Sequence, residues 1–148
     1  MALIENKKAR FEYEILETHE AGAELFGFEV KAIRAGMGNL EGARVVVRGG
    51  EAFLVGATVS PYQQKNTPGS YEPGRSRRLL LTKKELEGLL ATESQRGLTL
   101  VPIKWYNKNR RIKLEVGVGK RKKKYDKRAT LKERDTKRHI DRTLKNEY

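Results

Sequence analysis

The stretch of sequence that decides the fold is VVVRGGEAFLV, residues 45–55. One apolar run, 45–47, precedes Gly49-Gly50, and a second, 53–55, follows the glycines. Both glycines can adopt the positive φ angles that a two-residue turn between antiparallel strands requires. The stretch therefore predicts a tight β-hairpin and an antiparallel β architecture.

Further strands are predicted on both sides of this hairpin. Aromatic and aliphatic residues alternate with glutamates at 11–15, which indicates a half-buried strand, and 25–30 is a second candidate. Residues 98–105 and 112–116 flank Asn107-Lys108-Asn109 and predict a second hairpin. About six antiparallel strands at this spacing are typical of a small barrel or sandwich.

One helix is clearly marked near residue 82. Thr82 and Glu85 form a capping box, in which each side chain satisfies a free amide at the start of the helix. Leu86, Leu89 and Leu90 then form one apolar stripe. A shorter helix and a long surface loop are predicted over residues 30–35 and 60–78.

Charge and hydropathy divide the chain into a body, residues 1–119, and a tail, residues 120–148. The chain has 32 Lys and Arg against 19 Asp and Glu, a net charge of +13, and the tail alone holds 13 basic and 5 acidic residues. Because the tail has few large apolar side chains, we expect it to be disordered on its own. Gly117 and Gly119, where the apolar pattern stops, can supply a flexible backbone at the boundary.

Composition excludes several classes of function. The 148 residues contain no cysteine, and so no disulfide framework and no thiolate metal site. No apolar run approaches the roughly 20 residues of a membrane span, and residues 1–10 lack a secretion signal, which predicts a cytoplasmic protein. His19 and His139 lack ligand-spaced partners, and the sequence has no Gly-rich phosphate loop. We therefore expect no enzyme activity, no metal and no cofactor.

Three basic clusters provide the positive signal: Lys7-Lys8-Ala9-Arg10, Arg75-Ser76-Arg77-Arg78 and Lys120-Arg121-Lys122-Lys123-Lys124. Any one of them fits a solvated surface patch equally well. Together with the charge of +13 they favour a polyanion, whose binding should weaken with salt because phosphate neutralisation releases counterions. In the tail, the spacing of Arg134, Arg138 and Arg142 would place all three on one stripe of a helix induced on an RNA surface.

Eight segments occur in an order that is more specific than any of them alone. They are Asn6-Lys7-Lys8-Ala9-Arg10 with Tyr13, Glu20-Ala21-Gly22, Gly27-Phe28-Glu29-Val30-Lys31, Glu51-Ala52-Phe53-Leu54, Arg77-Arg78-Leu79-Leu80-Leu81, Gly97-Leu98-Thr99-Leu100-Val101-Pro102, Tyr125-Asp126-Lys127-Arg128 and Lys132-Glu133-Arg134. The ordered set resembles the SsrA-binding proteins, the small protein B (SmpB) family of bacteria. The resemblance runs from about residue 6 into the tail.

The resemblance implies a fold and a function. The fold is a mainly β, antiparallel six-stranded barrel of the oligonucleotide-binding (OB) type, with about three flanking helices and a basic C-terminal tail that is disordered in solution. The function is to bind the tRNA-like domain of transfer-messenger RNA (tmRNA, or SsrA RNA) and deliver it to the A site of a 70S ribosome stalled on non-stop mRNA. Trans-translation then tags the peptide and rescues the ribosome. Elongation factor Tu belongs to the delivery complex, and the protein itself, expected to be a monomer, catalyses nothing.

The resemblance also implies two sets of contact residues. The tmRNA-binding set is Lys7, Lys8, Arg10, His19, Glu20, Gly22, Lys31, Arg34, Arg77, Arg78, Leu80 and Thr82. The set for the decoding centre, its 16S rRNA and the mRNA channel is Lys122, Lys123, Lys124, Tyr125, Asp126, Lys127, Arg128, Lys132, Arg134, Arg138 and Arg142. This chain departs from the family pattern at Thr82, where Asn or His is frequent, and at Arg121, where Gly is usual.

The same sequence leaves two alternative functions. A general ribosomal or single-strand RNA-binding protein would use the same charge, and preference for a folded tRNA-like RNA would separate the two. An enzyme acting on RNA would need a metal cluster or a paired histidine and carboxylate, and neither is visible in the sequence.

Overall fold

The computed structural model describes residues 2–62 and 67–123. Within these ranges the elements are β1 (Ala2–Glu5), α1 (Lys7–Glu12), β2 (Tyr13–Ala23), α2 (Gly27–Arg34), β3 (Gly38–Asn39), β4 (Arg44–Arg48), β5 (Glu51–Val55), β6 (Thr58–Val59), β7 (Arg77–Leu80), α3 (Lys83–Glu93), β8 (Leu98–Lys108) and β9 (Arg111–Arg121). All expectations for Lys124 and the rest of the tail lie outside the described residues.

Seven strands form one antiparallel sheet in the order β1-β8-β9-β2-β7-β5-β4, and β3 pairs with β6 separately. The mainly β class is therefore confirmed, as are the few helices. The closed six-stranded barrel is wrong, because the described sheet is open and has β1 and β4 at its edges.

Helix α3 covers part of the free edge of β4. It contacts both β4 and β8, and the carboxylate of Glu93 accepts a hydrogen bond from the Val47 amide at 2.8 Å. Glu93 also forms an ion pair with Arg48. A helix side chain thus takes an edge amide that a neighbouring strand would take in a barrel, which is one way that proteins cover a free edge.

Both predicted hairpins are confirmed. Gly49 and Gly50 join β4 to β5 with φ angles of +59° and +76°. The second hairpin joins β8 to β9, but its tip lies later than predicted. Lys108 is still paired with Arg111, and Asn109 and Arg110 occupy the turn with φ angles of +52° and +66°. The tip therefore carries cations at its end.

Of two strand predictions near the N-terminus, the one over 25–30 is wrong and the one over 11–15 holds only from Tyr13, because local caps start helices there. Residues 25–30 belong largely to α2, where a carboxylate oxygen of Glu29 accepts from the Phe26 amide at 2.8 Å and fastens the first turn. Residues 7–12 form α1, because Asn6 Oδ1 accepts from the Ala9 amide at 3.1 Å. Strand β2 consequently begins at Tyr13.

The predicted helix after Thr82 is confirmed as α3. Thr82 Oγ1 accepts from the Glu85 amide at 3.2 Å, as a helix N-cap does. Leu89 is buried and Leu86 packs at the edge of the core. Leu90 is 46% exposed, so the apolar stripe is narrower than expected.

The sheet packs on both faces near its centre. The main core includes Trp105, Leu114, Leu54, Ile33 and Leu89. On the opposite face of β8, Val101 and Ile103 pack under Ala9 of α1. Hydrophobic burial on both faces fixes the orientation of β8 relative to α1 and α3.

Gly117 and Gly119 lie inside β9, which continues to Arg121. A Cβ on Gly117 would lie 2.8 Å from Ile103 Cδ1, and one on Gly119 would lie 3.0 Å from the Cβ of Tyr13. These glycines therefore make room for side chains of the adjacent strands. They do not provide the flexible boundary that the sequence suggested.

Candidate nucleic-acid interface

The residues predicted to bind RNA fall into two separate regions. Glu20 and Gly22 lie near the C-terminal end of β2, whereas α1 precedes its first residue, Tyr13. At about 3.3 Å per residue, Glu20 is on the order of 20 Å from the start of the strand. Lys7, Lys8 and Arg10 on α1 are therefore not part of the surface around Glu20.

The first region contains a groove beside the tip of the β8–β9 hairpin, here called the hairpin groove. It has a volume of about 280 Å³. It is lined by Gly22, Ala23, Leu25, Val30, Arg34, Leu80, Arg110, Arg111, Ile112 and Lys113. Three of the residues that the family resemblance suggested are thus brought together, with an apolar floor and a cationic rim.

Backbone and side-chain contacts set the shape of the hairpin groove. Gly22 pairs with Leu80 of β7, and a Cβ on Gly22 would lie 3.3 Å from the Leu80 Cβ. Leu80 is 48% exposed and so presents apolar surface to solvent. Arg34 Nη2 donates to the Arg110 carbonyl oxygen at 2.9 Å, which ties the end of α2 to the hairpin tip.

Sequence reasoning missed the cations of the hairpin tip, Arg110, Arg111 and Lys113. The signal was the run Asn107 to Lys113, in which basic residues surround a turn. In the sequence this run indicates only a hairpin, because nothing in the linear order brings the tip to Gly22 and Leu80. The register of β9 against β2, in which Gly22 pairs with Lys113, makes that connection.

Glu20 lies on the sheet face next to the hairpin groove and is held by two residues of β8. Tyr106 Oη donates to Glu20 Oε2 at 2.7 Å, and Lys108 Nζ donates to the same oxygen at 3.0 Å. The hydrogen bond from Tyr106, followed by that from Lys108, lowers the pKa of Glu20. Burial, and then the hydrogen bond to Glu20, raises the pKa of Tyr106. The site therefore presents an ionised carboxylate within a cationic surface.

Two other predicted residues have local partners. His19 Nε2 lies 2.7 Å from a carboxylate oxygen of Glu17, and His19 pairs with the buried Val116 where Glu20 pairs with Glu115, so adjacent side chains point to opposite faces. Thr82 Oγ1 caps α3 and also donates to Glu85 Oε1 at 3.0 Å. Neither side chain is shared with the hairpin groove.

Arg77 does not offer its charge to a phosphate, which corrects the sequence-based expectation. Its side chain is fully buried, and its guanidinium donates to Glu29 Oε2 at 2.8 and 3.0 Å and to the carbonyl oxygens of Ala57 and Pro73. Burying an unpaired guanidinium would be very costly, so the strand places Arg77 opposite a carboxylate. Arg78 is exposed and pairs with Glu24 and Glu51 at 3.2 and 3.3 Å.

The second region surrounds α1, on which Lys7, Lys8 and Arg10 are exposed. A groove of about 580 Å³ lies against this helix, and Lys8, Glu12, Tyr13 and Arg44 are among its lining residues. The amide of Lys122 donates to the Glu12 carbonyl oxygen at 2.9 Å, so the described chain ends beside α1. Lys122 and Lys123 of the predicted ribosome-binding set are therefore in this region. The remaining members of that set, from Lys124 to Arg142, lie outside the described residues.

Three further observations concern residues 2–62 and 67–123. No group of three or more His, Asp or Glu side chains in these ranges could hold a metal ion. No helix there is long and apolar enough to cross a membrane. Lys31 is exposed on α2 and does not line the hairpin groove.

Comparisons with known proteins agree on one family. The family model described as SmpB protein matches residues 3–146. The chain is 48% identical over 143 residues to an SsrA-binding protein of Thermosynechococcus vestitus, covering 97% of this chain and 94% of that protein. It is 49% identical over 144 residues to an SsrA-binding protein of Clostridium acetobutylicum, covering 97% and 92%.

A solved structure has a similar fold. It comes from work described as "tmRNA-SmpB: a journey to the center of the bacterial ribosome". The match has a TM-score of 0.68 and 43% sequence identity, and it covers 81% of this chain and 84% of the other.

Proposed function

The chain belongs to the SmpB family, and from this membership we propose that it binds tmRNA and works with it on the ribosome in trans-translation. Binding to the tRNA-like domain brings tmRNA to the A site of a ribosome stalled on non-stop mRNA. The incomplete peptide is then tagged and the ribosome is rescued. The chain's partners are accordingly tmRNA and the ribosome, with elongation factor Tu proposed as a further member of the delivery complex.

The observation that supports this proposal best is the hairpin groove beside Glu20. Leu80 and Gly22 contribute to a partly apolar floor, and cations line the rim. In the proposed complex Arg34, Arg110 and Lys113 contact phosphates, while Glu20 accepts a hydrogen bond from a ribose or a base. An anionic group among cations favours a folded RNA. The carboxylate accepts a hydrogen bond from a donor that the RNA fold holds in place, and it repels a phosphate that approaches the same position.

We propose the region around α1 as a second RNA contact. Lys7, Lys8 and Arg10 are exposed there, and the chain leads from there into its basic tail. One RNA surface reaching both α1 and the hairpin groove would have to span most of β2. Ribosomal RNA at α1 and tmRNA at the hairpin groove is the simpler arrangement.

The remaining family-implied roles are proposals of the same kind. His19, Lys31, Arg78 and Thr82 would make peripheral tmRNA contacts. Asp126, Lys127 and Arg128 would act at the decoding centre, and Arg134, Arg138 and Arg142 would line the vacant mRNA channel on one helical stripe. Beyond β9, the tail would be disordered alone. The protein would be a cytoplasmic monomer without cofactor or catalytic activity.

Competition binding with the full-length chain tests the main proposal. The chain should prefer the tRNA-like domain of tmRNA over unstructured RNA of equal length by about a hundredfold at moderate salt, since nonspecific RNA binding is mainly electrostatic. Equal affinity for the two RNAs would instead identify a general RNA-binding protein.

A reconstituted tagging reaction on stalled ribosomes tests the tail. Changing Asp126, Lys127 and Arg128 together to Ala should leave tmRNA binding nearly unchanged and abolish tagging. A tail scrambled at constant composition is the matched control, because it keeps the charge and removes the order. Full tagging with the scrambled tail would show that charge alone suffices.

A further inference from the structure

The contacts of Glu20 join three strands that are distant in sequence. Tyr106 and Lys108 lie on β8, and β9 separates them from β2. Both side chains therefore reach across β9 to the carboxylate, over 86 and 88 residues of sequence. Two adjacent strand spacings amount to roughly 10 Å, a span that only long side chains on the same face can bridge.

Both donors bind the same carboxylate oxygen of Glu20. Both Tyr106 Oη and Lys108 Nζ donate to Oε2. Among residues 2–62 and 67–123, no hydrogen bond to Oε1 is found. The Glu20 side chain is 38% exposed. One oxygen is thus held by the protein while the other is left with acceptor capacity at the surface.

Neighbouring charges leave Tyr106 and Lys108 paired with Glu20 and not with Glu115. Glu115 lies directly opposite on β9, and its charge is taken by Lys104 at 3.4 Å. The Lys104 ammonium also lies over the Tyr106 ring, 5.6 Å from the centroid. The Lys104 ammonium thus lies against one face of the ring, and the hydroxyl points to Glu20.

We propose that Tyr106 and Lys108 are positioning residues that orient the Glu20 carboxylate so that Oε1 accepts a hydrogen bond from a neutral RNA donor. The donor is either a ribose 2′-hydroxyl or the N2 amino group of a guanine, because these are the donors that the minor groove of an RNA helix presents. This inference rests on the proposed tmRNA binding and assigns the acceptor within that site.

Preorganisation is the physical reason for such a pair. A free glutamate at the surface samples several rotamers and would lose this freedom on binding RNA. Two hydrogen bonds to Oε2 remove that freedom before RNA arrives. They also favour the ionised form of Glu20, since both lower its pKa. An ionised oxygen accepts a stronger hydrogen bond than a neutral one.

Affinity measurements on the full-length chain with the tRNA-like domain of tmRNA test the inference. Tyr106→Phe keeps the ring and removes the donor, and Lys108→Met keeps the length of the side chain and removes both the donor and the charge. Each should weaken binding about fivefold, as expected for loss of one orienting hydrogen bond. In a Glu20→Ala background neither change should weaken binding further, because the carboxylate they orient is gone. Tyr62→Phe, at an exposed loop position, is the matched control and should bind as the wild type does.

The outcomes separate this inference from the proposed function. If the wild-type chain does not prefer the tRNA-like domain, the proposed function fails and the inference with it. If the wild type binds and Tyr106→Phe costs as much in the Glu20→Ala background as in the wild type, Tyr106 contacts RNA itself and only the inference fails. The same reading applies to Lys108.

Substituted RNAs distinguish the two sources of the donor. One series replaces single ribose 2′-hydroxyls by hydrogen, and a second replaces guanosine by inosine, which removes the N2 amino group. One substitution should weaken the wild type about tenfold and leave the Glu20→Ala variant unaffected, which identifies the donor. If the wild type and the variant respond alike to every 2′-deoxy and inosine substitution, Oε1 accepts neither donor and the inference is wrong.

Discussion

Glu20 and Glu29 both accept hydrogen bonds from tyrosine and basic side chains, but Glu20 is exposed and Glu29 is buried. Glu29 is fully buried, and its two oxygens receive hydrogen bonds from Phe26, Tyr71, Arg75 and Arg77. Glu20 is exposed, and both of its protein donors bind one oxygen. A saturated, buried carboxylate stabilises the fold, whereas a half-saturated one at the surface can still bind a partner.

The buried cluster also explains where the loop before β7 goes. Tyr71 and Arg75 belong to that loop and both reach Glu29 of α2. Burial opposes ionisation of Glu29, but its hydrogen bonds from Arg75, Phe26 and Tyr71 prevail and the pKa of Glu29 is lowered. Arg75 further lies over the ring of Phe26, 4.4 Å from the centroid. The loop is therefore fastened to the start of α2 by charge.

The largest expected effect comes from removing the charge of the buried carboxylate, Glu29. Glu29→Gln leaves the charge of Arg77 buried without its partner, so it should destabilise the fold by about 3–5 kcal/mol. Urea unfolding followed by circular dichroism measures this loss. Glu87→Gln, on the exposed face of α3, is the control and should unfold with the wild-type midpoint. Equal midpoints for the two variants would contradict a structural role for Glu29.

The second effect concerns the exposed carboxylate. Glu20→Ala should weaken binding to the tRNA-like domain about tenfold or more, because a hydrogen bond to a charged group is lost. Its unfolding midpoint should stay near that of the wild type. Glu87→Ala is again the matched control, since Glu93 carries structural contacts to Val47 and Arg48. A loss of stability without a loss of RNA affinity would show that Glu20, like Glu29, has a structural role.

A third, smaller effect tests whether the cations around the hairpin groove contact phosphates. Arg110→Ala should reduce the slope of log affinity against log salt by about 1, as expected for one lost phosphate contact. Arg96→Ala removes an equal charge after α3 and should leave the slope unchanged. Affinities measured between low and moderate salt give both slopes. Equal slopes in the two variants would show that Arg110 contributes only to the overall charge.

The smallest effect is the pH dependence of Glu20 itself. Its pKa lies below the ordinary 4.5 because of hydrogen bonds from Tyr106 and Lys108, and Lys113 and Glu115 also face it from β9. A lowered pKa stabilises the fold above pH 4.5, and that contribution is lost as the pH falls through the folded value. The titration midpoint of the Glu20 carboxyl resonance should therefore lie below pH 4.5. In Tyr106→Phe this midpoint should lie closer to 4.5. No shift in that variant would remove Tyr106 as the main cause.

Short-range patterns foretold the local elements well. The glycine pair at 49–50 and the cap at Thr82 depend on neighbours within a few residues, and both are where the sequence placed them. A pattern of similar length failed at residues 25–30, and the strand predicted over 11–15 begins only at Tyr13. There the side chains of Glu29 and Asn6 satisfied amides and started helices. An apolar run alone does not distinguish a short strand from a helical turn.

By itself, the sequence determined the β class, the two hairpins, the helix after Thr82, the excess of positive charge and the family to which the chain belongs. Those properties follow from composition, from residue order and from contacts between near neighbours. Tertiary structure alone decided that the sheet stays open, that Arg77 is buried, and that Tyr106 and Lys108 hold one oxygen of Glu20. Each of these depends on strand order and register, which bring together residues as many as 88 positions apart. Burial then determines which charges must be paired within the protein and which remain for RNA.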